Sequence, residues 1–328
     1  MALQTDLQIG DQADARCTGV PAGSPLGRLN RPVLLMNVPL SLSTQVPNNA
    51  WMEAMNPGER EIDLDRAISQ FLMVYRHLAR TAVIYLLPST PGLQDQTYVS
   101  NLGAVLPHRE SSTIIISRFR SKPRIGEARI GIDFFRLMGF LVEQPPETLE
   151  SESVYFEGEA DLKHIRSNLF VGAYGMRTSR NALTWAGKRF DMNIVPFRIT
   201  DPYLYHLDCC MFRITDEAVL LCTSVADRAS LRQLEQHCEI VDVPLEQARA
   251  GTTNGLLLSN QILCDSDIQE LRRDSDLYSI EKSKIDFLEG VCSRFNRSLQ
   301  IFCMSEFYKS GALLSCLVMP IESVRSDS

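Results

Sequence analysis

Cys316 closes the segment EFYKSGALLSC, between small residues and an apolar run that stops at Pro320. A thiol there is either a small core residue of a last strand or a nucleophile held at a strand end. Three other segments offer it partners. YLYHLDCC carries His206 and Asp208, two apart, which in a strand face the same side. YFEGEADL holds Glu157, Glu159 and Asp161, with Gly158 allowing a turn. PGLQDQTYVSN sets Asp95 and Asn101 around a short apolar strand. Singly, each has a plain structural reading: a satisfied histidine, a strand-end cap, a solvated turn, a packed thiol. Together they are a thiol, an imidazole and several carboxylates. A Cys–His pair suits covalent catalysis, because the thiolate attacks and a nearby proton shuttle serves the leaving group. Several carboxylates suit a cationic substrate, and a planar guanidinium matches them two at a time. His206, Cys209 and Cys210 cluster, but their spacing fits no standard zinc signature, so no metal is expected.

These residues need a frame. Short apolar, β-branched runs begin with VLLMNV at 33–38 and continue through AVIYLL, STIIISRF, NLFVGAYG, NIVPFRI, AVLLC, CEIVDV, GLLLSN and LQIFCM to ALLSCLVM at 312–319. Each has strand length, and most are bounded by polar or turn residues. Between them lie helical patterns, such as Leu64, Ile68, Phe71, Leu72, Tyr75 and Leu78 after a candidate cap at Asp63. The alternation predicts an α/β protein, with a loose ββαβ unit recurring about five times. One domain is expected over 31–323, with polar tails at 1–30 and 324–328. No glycine-rich phosphate loop occurs, which disfavours a nucleotide enzyme.

Composition narrows the partners. The 328 residues carry a net charge of −7 and no Lys/Arg run, so neither nucleic acid nor an anionic membrane is expected as a partner. No stretch approaches the roughly 18 apolar residues of a membrane span. Nine cysteines, odd in number and irregular in spacing, suit free thiols in a reducing cytoplasm. The N-terminus reads as neither signal nor transit peptide.

Seven segments, taken in order, resemble the guanidine-modifying (pentein) superfamily: VPLSLSTQVPNNAWM, GLQDQTYVSN, SRFRSKPRIGE, FEGEAD, AYGMRTS, YHLDCC and SEFYKSGALLSC. The resemblance implies a five-bladed α/β propeller of ββαβ modules around a central active site. It implies Cys316 as nucleophile, His206 as general acid/base and Glu157 as the carboxylate orienting the imidazole. It places Asp95 and Asp208 near the guanidinium, Arg124 and Arg177 on a substrate carboxylate, and Asn49 on the loop that closes the site. Two segments depart from the pattern. The glycine-rich approach to the nucleophile is here GALLS, and EGEAD carries an extra residue, Glu159, expected to face solvent. Asn101 stands where deiminases and dimethylarginine hydrolases usually have Asp, as in arginine dihydrolases. The expected activity is therefore hydrolysis of a guanidino substrate such as arginine, to ornithine, carbon dioxide and two ammonia, without a cofactor. Deimination, dimethylarginine-type hydrolysis, amidino transfer and a catalytically silent ligand-binding role stay open. By analogy with relatives, a homodimer is expected.

Overall fold

Apolar runs cut every few residues by a polar or turn residue can pair only as short strands. The computed structural model describes residues 31–322; the segment 1–30, position 323 and the tail 324–328 lie outside the described residues. Beside a separate two-stranded hairpin, in which Thr148–Leu149 pairs with Glu152–Ser153, five three-stranded sheets share one plan. In each, a central strand pairs antiparallel on one side and parallel on the other, and a helix precedes the parallel partner. The second sheet shows the order: Gly103–Val105 antiparallel to Thr113–Ile116, the helix Glu127–Leu137, then Leu141–Glu143 parallel to the centre. Leu162–Arg166, Leu169–Tyr174 and Asn193–Arg198 make the third sheet, with the helix Arg180–Phe190. Met211–Arg213, Ala218–Leu221 and Glu239–Asp242 make the fourth. Leu256–Leu258, Gln261–Asp265 and Ser298–Phe302 make the fifth, with the helix Asp276–Arg294. The ββαβ unit expected from the sequence is the repeat of the fold.

The first sheet is completed by the end of the chain. Val33–Asn37 pairs parallel with Val83–Leu87 and antiparallel with Met319–Glu322, so the last strand supplies the edge that the first unit lacks. One interior cavity of about 170 Å3 is lined by residues from the antiparallel strand of every sheet, among them Val105, Leu162, Met211, Leu257 and Ile321. The five sheets therefore meet around a common interior space.

The helices cover the sheets with one apolar face each. In Leu64–Leu78, Ala67, Phe71, Val74 and Leu78 recur at helical spacing and are buried, and the Asp63 side chain accepts the Arg66 N–H at 3.0 Å, as expected of the cap. Cys210, Cys222, Cys264 and Cys292 are free thiols packed in the apolar interior, where sulfur acts as a small hydrophobe.

Three local expectations are corrected. The run 312–319 is not one strand: Cys316 lies in a 3-10 turn, Leu314–Leu317, and pairing starts at Met319. YLYHLDCC is also no strand; His206 precedes the 3-10 turn Leu207–Cys209. The short strand expected around Asp95 and Asn101 is replaced by the 3-10 turn Val99–Asn101. In the first two, distant side chains take backbone donors that a ladder would use. Asn254 Oδ1 accepts the Ser315 N–H at 3.1 Å, and Asp161 Oδ1 accepts the Leu207 N–H at 3.1 Å.

If the closing strand carries the ring, a cavity in it should be costly. Ile321 is buried beside Val33 and Leu35, whereas Leu137 is 89% exposed. Ile321→Ala is expected to lower unfolding stability by about 3 kcal/mol and Leu137→Ala by less than about 0.5 kcal/mol, read from denaturant midpoints.

Candidate active site

Each sheet's antiparallel strand is entered through a turn, and those turns carry the polar groups. Asn101 ends the turn before Gly103–Val105. Glu157 begins the 3-10 turn Gly158–Ala160, which leads into Leu162–Arg166. His206 and Asp208 flank the entry to Met211–Arg213. Asn254 stands two residues before Leu256–Leu258, and Cys316 three before Met319–Glu322. A ring of five entries thus turns scattered sequence positions into neighbours. Gly158 shows how tightly they approach. Its φ is +63°, and a Cβ there would lie 2.8 Å from the carbonyl carbon and oxygen of Asn101 and from the Gly103 nitrogen. Only glycine meets both demands.

Cys316, His206, Asn101, Asp95, Arg124, Arg177 and Asn49 line one cavity, with Asn48, Tyr98, Tyr205, Ser310 and Ala312. The cavity is small, about 20 Å3, room for about one water. Glu157 and His206 form its firmest pair, with Glu157 Oε2 2.8 Å from His206 Nε2. Glu157 is fully buried. Burial alone would raise its pKa, but Arg177 at 3.3 Å and the His206 ring outweigh this and hold the carboxyl well below the usual carboxylate range. Asn101 Nδ2 lies 3.3 Å from the same ring nitrogen. Asp161, whose role the extra residue of EGEAD left open, accepts from the Thr178 hydroxyl at 2.7 Å as well as from the Leu207 N–H. It thereby anchors the turn that follows His206. Glu159 does not face open solvent. It is half-buried, 3.7 Å from Lys163, and lines the interior space between the sheets. The extra residue lengthens the turn inward.

Cys316 is buried, with Asp208 Oδ2 at 3.9 Å and Asn254 Nδ2 at 3.8 Å from its sulfur. Burial first, then the Asp208 charge, pushes the thiol up to about 12. Asp208 is held by the Ser315 hydroxyl at 2.7 Å. Asp95 is buried at the other side of the cavity and accepts from Asn48 Nδ2 at 2.6 Å and Gln94 Nε2 at 3.2 Å. Burial raises its pKa, and Arg124 opposes that.

The two arginines are engaged within the protein. Arg124 makes a bidentate pair with Glu127, at 3.0 and 2.8 Å, and donates to the Tyr98 and Asp95 carbonyls. Arg177 is shared between Glu157 and the Asn48 carbonyl, the latter at 2.6 Å, and covers the Tyr205 ring at 4.9 Å. Asn49 accepts the Met52 N–H and donates to the Ser310 carbonyl, so it caps a helix and ties two walls of the cavity together. Asn48, Glu127, Thr178 and Asn254 escaped the sequence reading. Asn48, Glu127 and Thr178 lie within the segments VPLSLSTQVPNNAWM, SRFRSKPRIGE and AYGMRTS, and Asn254 in a polar GTTNG stretch before a strand. Among the described residues, the one His/Cys/Asp/Glu group close enough for a metal is Asp267, Glu270 and Cys303; it includes none of His206, Cys209 and Cys210.

A thiol, a carboxylate-held imidazole and buried acids at the inner end of five ββαβ units define the guanidine-modifying, pentein class. The chain belongs to the family of eukaryotic N,N-dimethylarginine dimethylhydrolases, whose sequence profile matches residues 39–274. It is 28% identical over 281 residues to the bifunctional arginine dihydrolase/ornithine cyclodeaminase AgrE of Nostoc sp., covering 85% of this chain and 36% of that protein. It is 28% identical over 188 residues to the corresponding bifunctional protein ArgZ of Synechocystis sp., covering 57% of this chain and 25% of that one. The chain thus spans about a third or less of the curated relatives it matches first. The crystal structure of the N-terminal domain of ArgZ bound to product superposes with a TM-score of 0.74 at 22% identity, covering 89% of this chain and 98% of that one. That likeness establishes the fold.

The raised thiol has a direct consequence. Without ligand, alkylation of Cys316 by iodoacetamide should climb about tenfold per pH unit through pH 10 with no plateau, followed by peptide mass spectrometry. A plateau near pH 7 would contradict the described burial and charge.

Proposed function

We propose that residues 31–322 form one catalytic unit that hydrolyses the guanidino C–N bonds of L-arginine through Cys316, giving ornithine, carbon dioxide and two ammonia. The observation that carries this reading is the shared cavity. It is lined by Cys316, the Glu157-held His206, Asp95 and Asn101, which lies against the imidazole; the buried Asp208 lines the neighbouring interior space, 3.9 Å from the Cys316 sulfur.

The reading explains the raised thiol. An empty site keeps the sulfur protonated beside Asp208. A docked guanidinium offsets the carboxylates and favours the thiolate just where its carbon can be attacked. The thiolate adds to that carbon, the tetrahedral adduct expels ammonia with a proton delivered by His206, and a thiouronium remains. Water then adds, the C–S bond breaks, and citrulline and free Cys316 result. Because Glu157 is ionised, the ring nitrogen facing it, Nε2, carries a hydrogen, and Nδ1 is left to move protons.

Asn101 is what permits a second round. An Nε2–H given to Glu157 has no lone pair to accept an amide N–H, so the amide is read with its oxygen toward the ring and its NH2 toward the cavity. That NH2 can donate to the ureido oxygen of citrulline, which a carboxylate would repel. Held there, the ureido carbon meets Cys316 again. The second ammonia leaves, water releases the carbamate, and carbon dioxide and ornithine follow. Two waters are consumed in all.

An arginine is far larger than the cavity, so the wall around Asn48 and Asn49 must open on binding. Arg177 is the better-placed of the two arginines to take the substrate carboxylate, because its Asn48 partner belongs to that wall. Arg124 is held by Glu127 and steadies Asp95. Free thiols at eight described cysteines agree with a reducing, cytoplasmic setting, and no described helix is long and apolar enough to cross a membrane.

The family profile favours a second reading, hydrolysis of a dimethylated arginine to citrulline. Quantifying ammonia, citrulline, ornithine and dimethylamine from arginine and from dimethylarginine separates the two. The dihydrolase reading expects two ammonia per ornithine from arginine and little dimethylamine. Asn101→Asp should move the product toward citrulline; an unchanged ornithine-to-citrulline ratio would contradict the role of the amide. Cys316→Ser should cost at least about 10³-fold in turnover.

A further inference from the structure

Five turns lead into the five antiparallel strands, and four carry groups already given roles: Asn101, Glu157, the His206–Asp208 pair and Cys316. The fifth carries Asn254. It is buried, 3% exposed, in the turn 251–254, where its own N–H bonds the Gly251 carbonyl at 3.0 Å. Its side chain has one defined orientation. Ser315 N–H needs an acceptor and finds Asn254 Oδ1 at 3.1 Å, which leaves Nδ2 as the end that can donate to the Cys316 sulfur, at 3.8 Å, with Oδ1 4.0 Å from the same sulfur. Asn254 therefore grips the nucleophile's turn with one end of its amide and presents a donor to the sulfur with the other.

We propose that Asn254 is a catalytic residue that donates its amide N–H to the Cys316 thiolate, the counterweight to Asp208 across the sulfur. Asp208 attracts the cationic substrate, and its charge opposes a thiolate 3.9 Å away. When the thiol proton leaves, sulfur becomes an acceptor only; of the neutral donors beside it, the Ser315 hydroxyl already donates to Asp208 at 2.7 Å, and the Asn254 N–H is free to turn to the sulfur. His206, Asp95, Arg124 and Arg177 share the cavity, and Cys209 lies on the other oxygen of Asp208 at 3.7 Å. None of these offers the sulfur a hydrogen bond in the unliganded geometry.

The turn bearing Asn254 is braced from behind. Lys284 is fully buried and donates to the Ala250 carbonyl at 2.8 Å, with Asp265 at 3.3 Å and Glu281 at 3.0 Å neutralising it. Asp265 Oδ1 would lie 3.3 Å from a Cβ at residue 251, where Gly251 has a φ of +87°. This ion cluster fixes the turn and touches neither sulfur nor substrate; Lys284 is a positioning residue.

The inference rests on Cys316 being the nucleophile, so its test is read without substrate. Alkylation of Cys316 by iodoacetamide is followed between pH 7 and 10 in the full chain for the wild type, Asn254→Ala and Asn254→Ser. The serine keeps an oxygen for the Ser315 N–H and loses the donor to sulfur, which guards against a variant that fails to fold. Losing a donor to a charged sulfur should slow alkylation about tenfold at every pH in both variants. It should lower kcat by a similar factor at little-changed KM. A merely structural role predicts the opposite sign, because a loosened turn exposes the buried thiol and speeds labelling. Alkylation at or above the wild-type rate in a variant with a cooperative melt would overturn the proposal. Loss of all Cys316 dependence in arginine turnover would instead overturn the underlying assignment, leaving these rates interpretable.

Discussion

An ionised carboxylate kept out of water is the constraint on which the rest of the site depends. Glu157 is fully buried, and a lone charge there would cost several kcal/mol. It survives because Arg177 lies against it on one side and His206 on the other. Each partner is then no longer free. The imidazole must present one nitrogen to Glu157, which settles its tautomer. The guanidinium must stay in the cavity wall, which draws the Asn48 carbonyl after it. One charge in one place thus holds the imidazole and the Asn48 carbonyl together.

A second balance sits around the sulfur. Three buried carboxylates stand at or near the cavity: Asp95 lines it, Glu157 holds the His206 ring that lines it, and Asp208 lies 3.9 Å from the Cys316 sulfur. Burial first, and then the Asp208 charge, disfavours a thiolate, and the Cys316 thiol is pushed up accordingly. In the proposed reaction, a quiet thiol in the resting site and a reactive one beside a bound guanidinium follow from the same charges. Burial of Cys316 belongs to this balance, since it keeps the sulfur protonated, while the neighbouring Asn254 amide favours the thiolate once the proton has left.

Much of the fold could be read from the chain because its signals are local. Short apolar runs separated by amphipathic stretches such as 64–78 specify strands and helices directly. The hairpin strands Gly103–Val105 and Met211–Arg213 were harder, being brief and facing the interior space instead of a helix. The four turns carrying Asn101, Glu157, His206 and Cys316 were legible as residue types and illegible as geometry. Apolar residues at 312–319 suggest a strand, yet Asn254, some sixty positions away, captures the Ser315 N–H and bends it. Long-range side-chain capture of backbone donors has no local signature. For the same reason Asn254 escaped notice, and Arg124 and Arg177, read as substrate ligands, turn out to be tied to Glu127 and Glu157. The Asp63 cap, which acts on its own helix, was plain from the start.

Attack on a guanidinium by the Cys316 sulfur would leave a trace that can be trapped by acid quenching the protein during turnover of L-arginine, followed by peptide mass spectrometry. A covalent adduct, arginine less one ammonia, is expected on the peptide containing Cys316 and on no other. An adduct on Cys209, or steady ammonia release with Cys316 never modified and dispensable, would contradict it.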